Sequence, residues 1–180
     1  MQSKAYTAMP AGSRLSDSKL QPETQQQLSQ LIAGSESQPA VKDTTQLAKT
    51  QPGSVLVFCG RDAEAQAKGA AALGVETGRP VYRVHLSAVI SKYIGETEKN
   101  LDRLFKKAVQ ANAVLFFDEA DALFGKRTGI KDAHDKYANQ EVSYVLAQAE
   151  AQVVVVILGV TAKSNIDKPF LRRLRFIVQF

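Results

Sequence analysis

From Ser54 onward, short apolar blocks alternate with longer amphipathic stretches. Strand-like runs fall near 55–59, 81–86, 113–118, 153–158 and 176–180, each rich in Val, Ile, Leu or Phe and short enough to cross a sheet once. Between them the apolar spacing changes to that of a helix. Over Thr97 to Gln110, Leu101, Leu104, Phe105, Ala108 and Val109 share one face, and further on Val142, Val145, Leu146 and Ala149 do the same. Strands separated by helices need crossover connections, which predicts a parallel sheet with helices on both sides. The fold class is therefore α/β, a three-layer sandwich with five parallel strands. Ahead of it, Pro22 stands near the start of a short amphipathic helix carrying Leu28, Leu31 and Ile32. Residues 33–53, rich in Ser, Thr, Gln, Gly and Pro, read as a surface linker. Residues 1–17 read as a flexible arm and 18–180 as one core domain.

Composition narrows the setting. A chain of 180 residues, 44% hydrophobic, can bury one core. Its single cysteine, Cys59, sits inside an apolar run without a partner, which suits a reducing compartment. The N-terminus carries no apolar leader, and the run VVVVILGV is too short to span a bilayer, so a cytoplasmic protein with no membrane association is expected. Lys and Arg exceed Asp and Glu by 23 − 18 = 5, clustered around 99–107, 126–136 and 163–175. No zinc knuckle or aromatic-interleaved basic stripe accompanies them. The clusters read as solvated helix faces and contacts between subunits, with a nucleic-acid-binding module as a minor alternative.

Two segments carry chemistry. Val114 to Asp121, VLFFDEAD, runs a buried strand into acidic residues at its C-terminal end. There Asp118 would hold Mg²⁺ through its water shell and Glu119 would polarise an attacking water. The plain alternative is a strand ending in a solvated acidic turn. The second segment is the turn after the strand ending at Gly60, where a phosphate loop G-x-x-x-x-G-K-[ST] would lie. Such a loop uses bare glycine amides and a lysine on the phosphates, and a hydroxyl on Mg²⁺. Counted from Gly60, the last three motif positions fall on Ala65, Gln66 and Ala67. Gln66 lacks the charge and Ala67 lacks the metal ligand. Arg61 and Lys68 are the nearby cations, but two places along a helix turn Lys68 about 200° away from the lysine position.

With these segments in hand, the chain resembles the AAA+ ATPase module, and most of all the classical AAA proteins associated with phage-tail-like contractile injection systems. The resemblance runs over roughly 18–180. It is carried by SKYIGETEKNLDRLFKKA (91–108), NAVLFFDEADALFGKR (112–127) and KSNIDKPFLRRLRFIVQF (163–180). It implies a pore loop at Lys92, Tyr93 and Ile94, whose aromatic grips an extended polypeptide, and a second pore loop within 128–135, where His134 also lies. It implies arginine fingers among Arg172, Arg173 and Arg175 and a sensor position at Thr161, where the family has asparagine. ATP and Mg²⁺ are the implied cofactors, although the phosphate loop has lost its working groups. The implied partners are AAA+ subunits of a homo- or hetero-oligomer and a protein substrate of tail or sheath type. The family's small helical lid, which would follow Phe180, is expected to be absent. The resulting expectation is a degenerate AAA+ subunit acting by assembly or as an adaptor. An active ATPase is the alternative.

Overall fold

The structure, a computed structural model, describes residues 5–33, 54–91, 93, 95–124, 135–166, 168–171, 174 and 176–180. The strands are β1 (Tyr6–Ala8), β2 (Val55–Cys59), β3 (Val81–Val84), β4 (Val114–Phe117), β5 (Val156–Val160) and β6 (Phe176–Gln179). They form one sheet in the order β1-β3-β4-β5-β2-β6. All neighbours pair in parallel except β1, which runs antiparallel to β3. The helices are α1 (Pro22–Ala33), α2 (Ala63–Thr77), α3 (Leu86–Val89), α4 (Glu96–Ala111), α5 (Asp135–Gln152) and α6 (Lys168–Leu171).

Every residue of β2, β4 and β5 is buried, which is why these strands read as unbroken apolar runs rather than alternating ones. Their side chains divide between two cores. Val55, Val57, Leu115, Phe117 and Leu158 meet α4 and α5 on one face, through Leu101, Leu104, Phe105, Val145 and Leu146. Leu56, Phe58, Phe116 and Ile157 meet α1 and α2 on the other, through Leu28, Ala70 and Leu73. Each large side chain so buried contributes about 1.5–3 kcal/mol. The expected three-layer α/β architecture is present.

The sheet has six strands rather than five. Residues 1–17 read as a flexible arm from sequence, yet Tyr6–Ala8 pairs with Arg83 and its neighbours as an edge strand, and Leu15 is buried. Tyr6 stacks on Tyr82, ring centroids 4.6 Å apart. Three residues are too few for a periodicity to emerge from sequence. Past the strand, the Leu15 amide donates to Glu76 Oε1 on α2 at 3.1 Å. At the opposite edge, Thr24 Oγ1 donates to the Gln179 carbonyl (2.6 Å) and the Gln179 amide donates to Gln27 Oε1 (2.9 Å). Side chains of α1 thereby occupy backbone groups that an edge strand otherwise leaves open.

The strand expected over 153–158 starts later, at Val156. The Val154 amide closes onto the Ala149 carbonyl at the end of α5, and Val153 makes the turn with φ of 59°. Four consecutive valines hide this boundary, because the apolar run spans both turn and strand. Val153 is a β-branched residue in the left-handed region, and it is exposed. Val153→Gly is expected to raise stability by about 0.5–1 kcal/mol, the relieved strain exceeding the added freedom of the unfolded chain. Chemical denaturation reads this directly.

Candidate functional site

The C-terminal ends of β4, β5 and β2 bring three segments together: Asp118 to Asp121, Thr161 to Asn165, and Gly60 to Gln66. Ligands of open α/β sheets bind at this edge. Asp118, mostly shielded, forms an ion pair with Arg83 of β3, and its Oδ1 accepts the Glu119 amide at 3.0 Å. Glu119 is exposed and has φ of 52°, a left-handed conformation that is costly for a residue with a side chain. Thr161 bonds to Asp121. Its amide (2.9 Å) and hydroxyl (2.8 Å) both donate to Asp121 Oδ2, while Asn165 Nδ2 donates to Asp121 Oδ1 at 2.7 Å.

Arg83 and Asp121 were not singled out from sequence. Arg83 had one available signal, a charge inside the apolar run VYRV. Asp121 is the last residue of DEAD, and only contact with a segment 40 residues away reveals it as a clamp.

The turn after β2 is short. Helix α2 begins at Ala63, so Ala65, Gln66 and Ala67 lie in its first turns instead of in a loop. Asp62 is the N-cap: its Oδ1 accepts the Ala65 amide at 2.9 Å. Gln66 points inward and is 3% exposed. Its Nε2 donates to the carbonyls of Gly60 (2.9 Å) and Val160 (3.2 Å), tying the ends of β2 and β5 to the helix. Gly60 is closed from the other side, since a β-carbon there would lie 2.2 Å from the Phe180 carbonyl oxygen. Arg61 is exposed. Lys68 is also exposed and pairs with Glu64 at 2.8 Å, a contact that raises its pKa. Ala67 has no hydroxyl to offer a metal. Among the described residues no group of three or more His, Cys, Asp or Glu is arranged to hold a metal ion.

Tyr93 stands 74% exposed between α3 and α4. Its amide donates to Ser91 Oγ (3.2 Å), whose hydroxyl donates to Glu96 Oε2 (2.6 Å), and the Asn100 side chain donates to the Val89 carbonyl at 3.1 Å. The aromatic is thus presented on a turn braced against the start of α4. Lys92, Ile94, Arg172, Arg173, Arg175 and the segment 128–134 with His134 lie outside the described residues. No described helix is long and apolar enough to cross a membrane.

Burial pushes the Cys59 thiol above its ordinary value, partly offset by a backbone hydrogen bond at Lys163. The hydrogen bond that Tyr144 Oη donates to Asp102 (2.6 Å) raises the phenol, with burial adding to it. Both folded-state values exceed the unfolded ones. Their stabilisation is therefore complete below the ordinary values of 9.0 and 10.0 and is lost as pH rises through the folded values. Melting temperature is expected to fall on the alkaline side, less so in Tyr144→Phe. Native Cys59, 4% exposed, is expected to resist thiol reagents until the chain unfolds.

Comparison with known proteins gives a consistent picture. Residues 67–180 match the sequence profile of the ATPase family associated with various cellular activities. A cell division cycle protein 48 homologue of Archaeoglobus fulgidus is 38% identical over 87 residues, 47% of this chain and 12% of that protein. Protein CdcH of Halobacterium salinarum is 31% identical over 135 residues, 73% of this chain and 18% of that protein. The chain thus spans under a fifth of the length of these two relatives. Among solved structures, the AAA domain of FIGL-1 superposes with a TM-score of 0.67 at 15% identity, covering 99% of this chain and 58% of that one. A chain in the HORMA:CdnC:Trip13 complex of E. coli MS115-1 gives 0.55 at 18% identity, covering 72% and 49%. At these identities the two structures speak for the fold alone.

Proposed function

The chain belongs to the AAA family of ATPases, and we propose that it is a nucleotide-silent member that works through assembly rather than hydrolysis. The observation that carries this reading is the closed turn after β2. A phosphate loop leaves several backbone N–H groups pointing into a cradle. Here α2 is already wound at Ala63, and the Asp62 carboxylate accepts one of its first-turn N–H groups. A second negative group in the same place would meet electrostatic repulsion. At the lysine position, Gln66 is spent on the carbonyls of Gly60 and Val160. The Arg83 guanidinium occupies the Asp118 carboxylate that would orient Mg²⁺. The residues present do not fit Mg·ATP.

What the domain keeps is a displayed Tyr93 on a braced turn and, by resemblance, the arginines at 172, 173 and 175 that would reach a neighbour's nucleotide. These features suit a subunit in a homo- or hetero-oligomer of AAA+ proteins that engages a protein substrate or a tail or sheath component. One observation favours a working ATPase instead: Glu119 holds a strained conformation of the kind that clusters at functional sites.

Melting the protein with and without excess Mg·ATP separates the two. Ligand at 100 times its Kd would add about 2.7 kcal/mol, or roughly 5–11 °C at this chain length. No shift and no phosphate release are expected. A shift of that size would establish nucleotide binding and overturn the proposal.

A further inference from the structure

Helix α4 carries a surface that the nucleotide question leaves untouched. Thr97, Leu101, Leu104, Phe105 and Ala108 are buried on its inner side. On the outer side Lys99, Arg103, Lys106 and Lys107 are all exposed. At 3.6 residues per turn and 1.5 Å rise, these cations lie within an arc of about 100° along roughly 12 Å of helix. Lys107 rests over the Tyr6 ring, 5.8 Å from its centroid. Neither of the ion pairs Lys68–Glu64 and Arg83–Asp118 involves any of the four cations.

Of the three acids of α4, Glu96, Glu98 and Asp102, two are engaged elsewhere. Glu96 accepts the Ser91 hydroxyl, and Asp102 accepts the Tyr144 phenol although it stands four residues before Lys106. Lys99 and Arg103, and again Arg103 and Lys107, are like charges at the i,i+4 spacing, which destabilises a helix. One acid at Arg103 would turn both repulsions into attractions. A purely solvated face gains nothing from keeping them apart in this way.

We propose that this stripe docks an acidic segment of a partner protein, one rich in Asp and Glu. Such a segment supplies counter-charges at the spacing of the helix and relieves both repulsive pairs on binding. The stripe begins at Lys99, one turn into α4 and six residues after the exposed Tyr93. Docking at this stripe requires no nucleotide.

The test uses a fluorescein-labelled Glu/Asp-rich peptide, its Gln/Asn counterpart and a DNA duplex, with anisotropy read at low and physiological salt. Arg103→Glu is compared with Arg14→Glu, an equal change in net charge at an exposed position of the N-terminal segment. The acidic peptide is expected to bind and the neutral one not, with affinity falling as salt rises. Arg103→Glu is expected to weaken it by about tenfold or more while raising the melting temperature, and Arg14→Glu to do neither. Equal losses in both variants would reduce the effect to net charge. That result, tighter binding to DNA, or a lower melting temperature in Arg103→Glu would each overturn the proposal.

Discussion

Gly60→Ala is expected to cost about 3 kcal/mol, the upper end for forcing an extra group into a closed space. The added β-carbon would lie 2.2 Å from the Phe180 carbonyl oxygen and 2.8 Å from its carbonyl carbon. Both obstacles are backbone, so no side-chain rotation clears them. The end of β6 is held there by the hydrogen bond from the Phe180 amide to the Cys59 carbonyl, 2.8 Å, and by the Phe180 ring against Phe58 at 4.7 Å. Making room means peeling that end from β2 and opening the ring contact. For a domain of this length the loss amounts to a fall of roughly 6–12 °C in melting temperature. Thermal unfolding followed by circular dichroism measures it, and a fall below 2 °C, about 1 kcal/mol or less, would show that the turn is not closed as described.

Asp121→Ala is expected to cost about 2–3 kcal/mol, a figure lowered because the site is open to water on one side. Three donors lose their acceptor: the Thr161 amide, the Thr161 hydroxyl and the Asn165 side chain. The segment after β5 then loses these hydrogen bonds to the segment after β4 and is held by apolar packing alone, Ile166 in the core with Leu123 and Phe124. Hydrogen exchange is expected to rise over 161–166 while β4 and β5 stay protected, since their buried ladders do not depend on Asp121. Asp121→Asn should fall between wild type and alanine, because one carbonyl oxygen still accepts.

The layers and the central strands were legible in the sequence because their signal is burial itself. Val55 to Cys59 and Val114 to Phe117 are apolar throughout for the reason that both of their faces are covered. Short or boundary features were not legible. The edge strand at Tyr6 has too few residues to show a period, and the start of β5 is hidden in a valine run whose first member makes a turn. At the site, the losses at Gln66 and Ala67 could be read against a motif. What replaced the motif could not. The Asp62 cap is local, three residues from its partner, whereas the inward turn of Gln66 onto Val160 and the hold of Asp121 on Thr161 are contacts 94 and 40 residues apart that follow from the sheet order.

The most direct measurement is calorimetric titration of Mg·ATP into the unmodified protein. With Asp62 and Gln66 closing the turn and Arg83 on Asp118, the expected result is no heat beyond dilution at any accessible concentration. A saturable isotherm with one nucleotide per chain would contradict it, and would mean that the turn after Gly60 rewinds to admit phosphate.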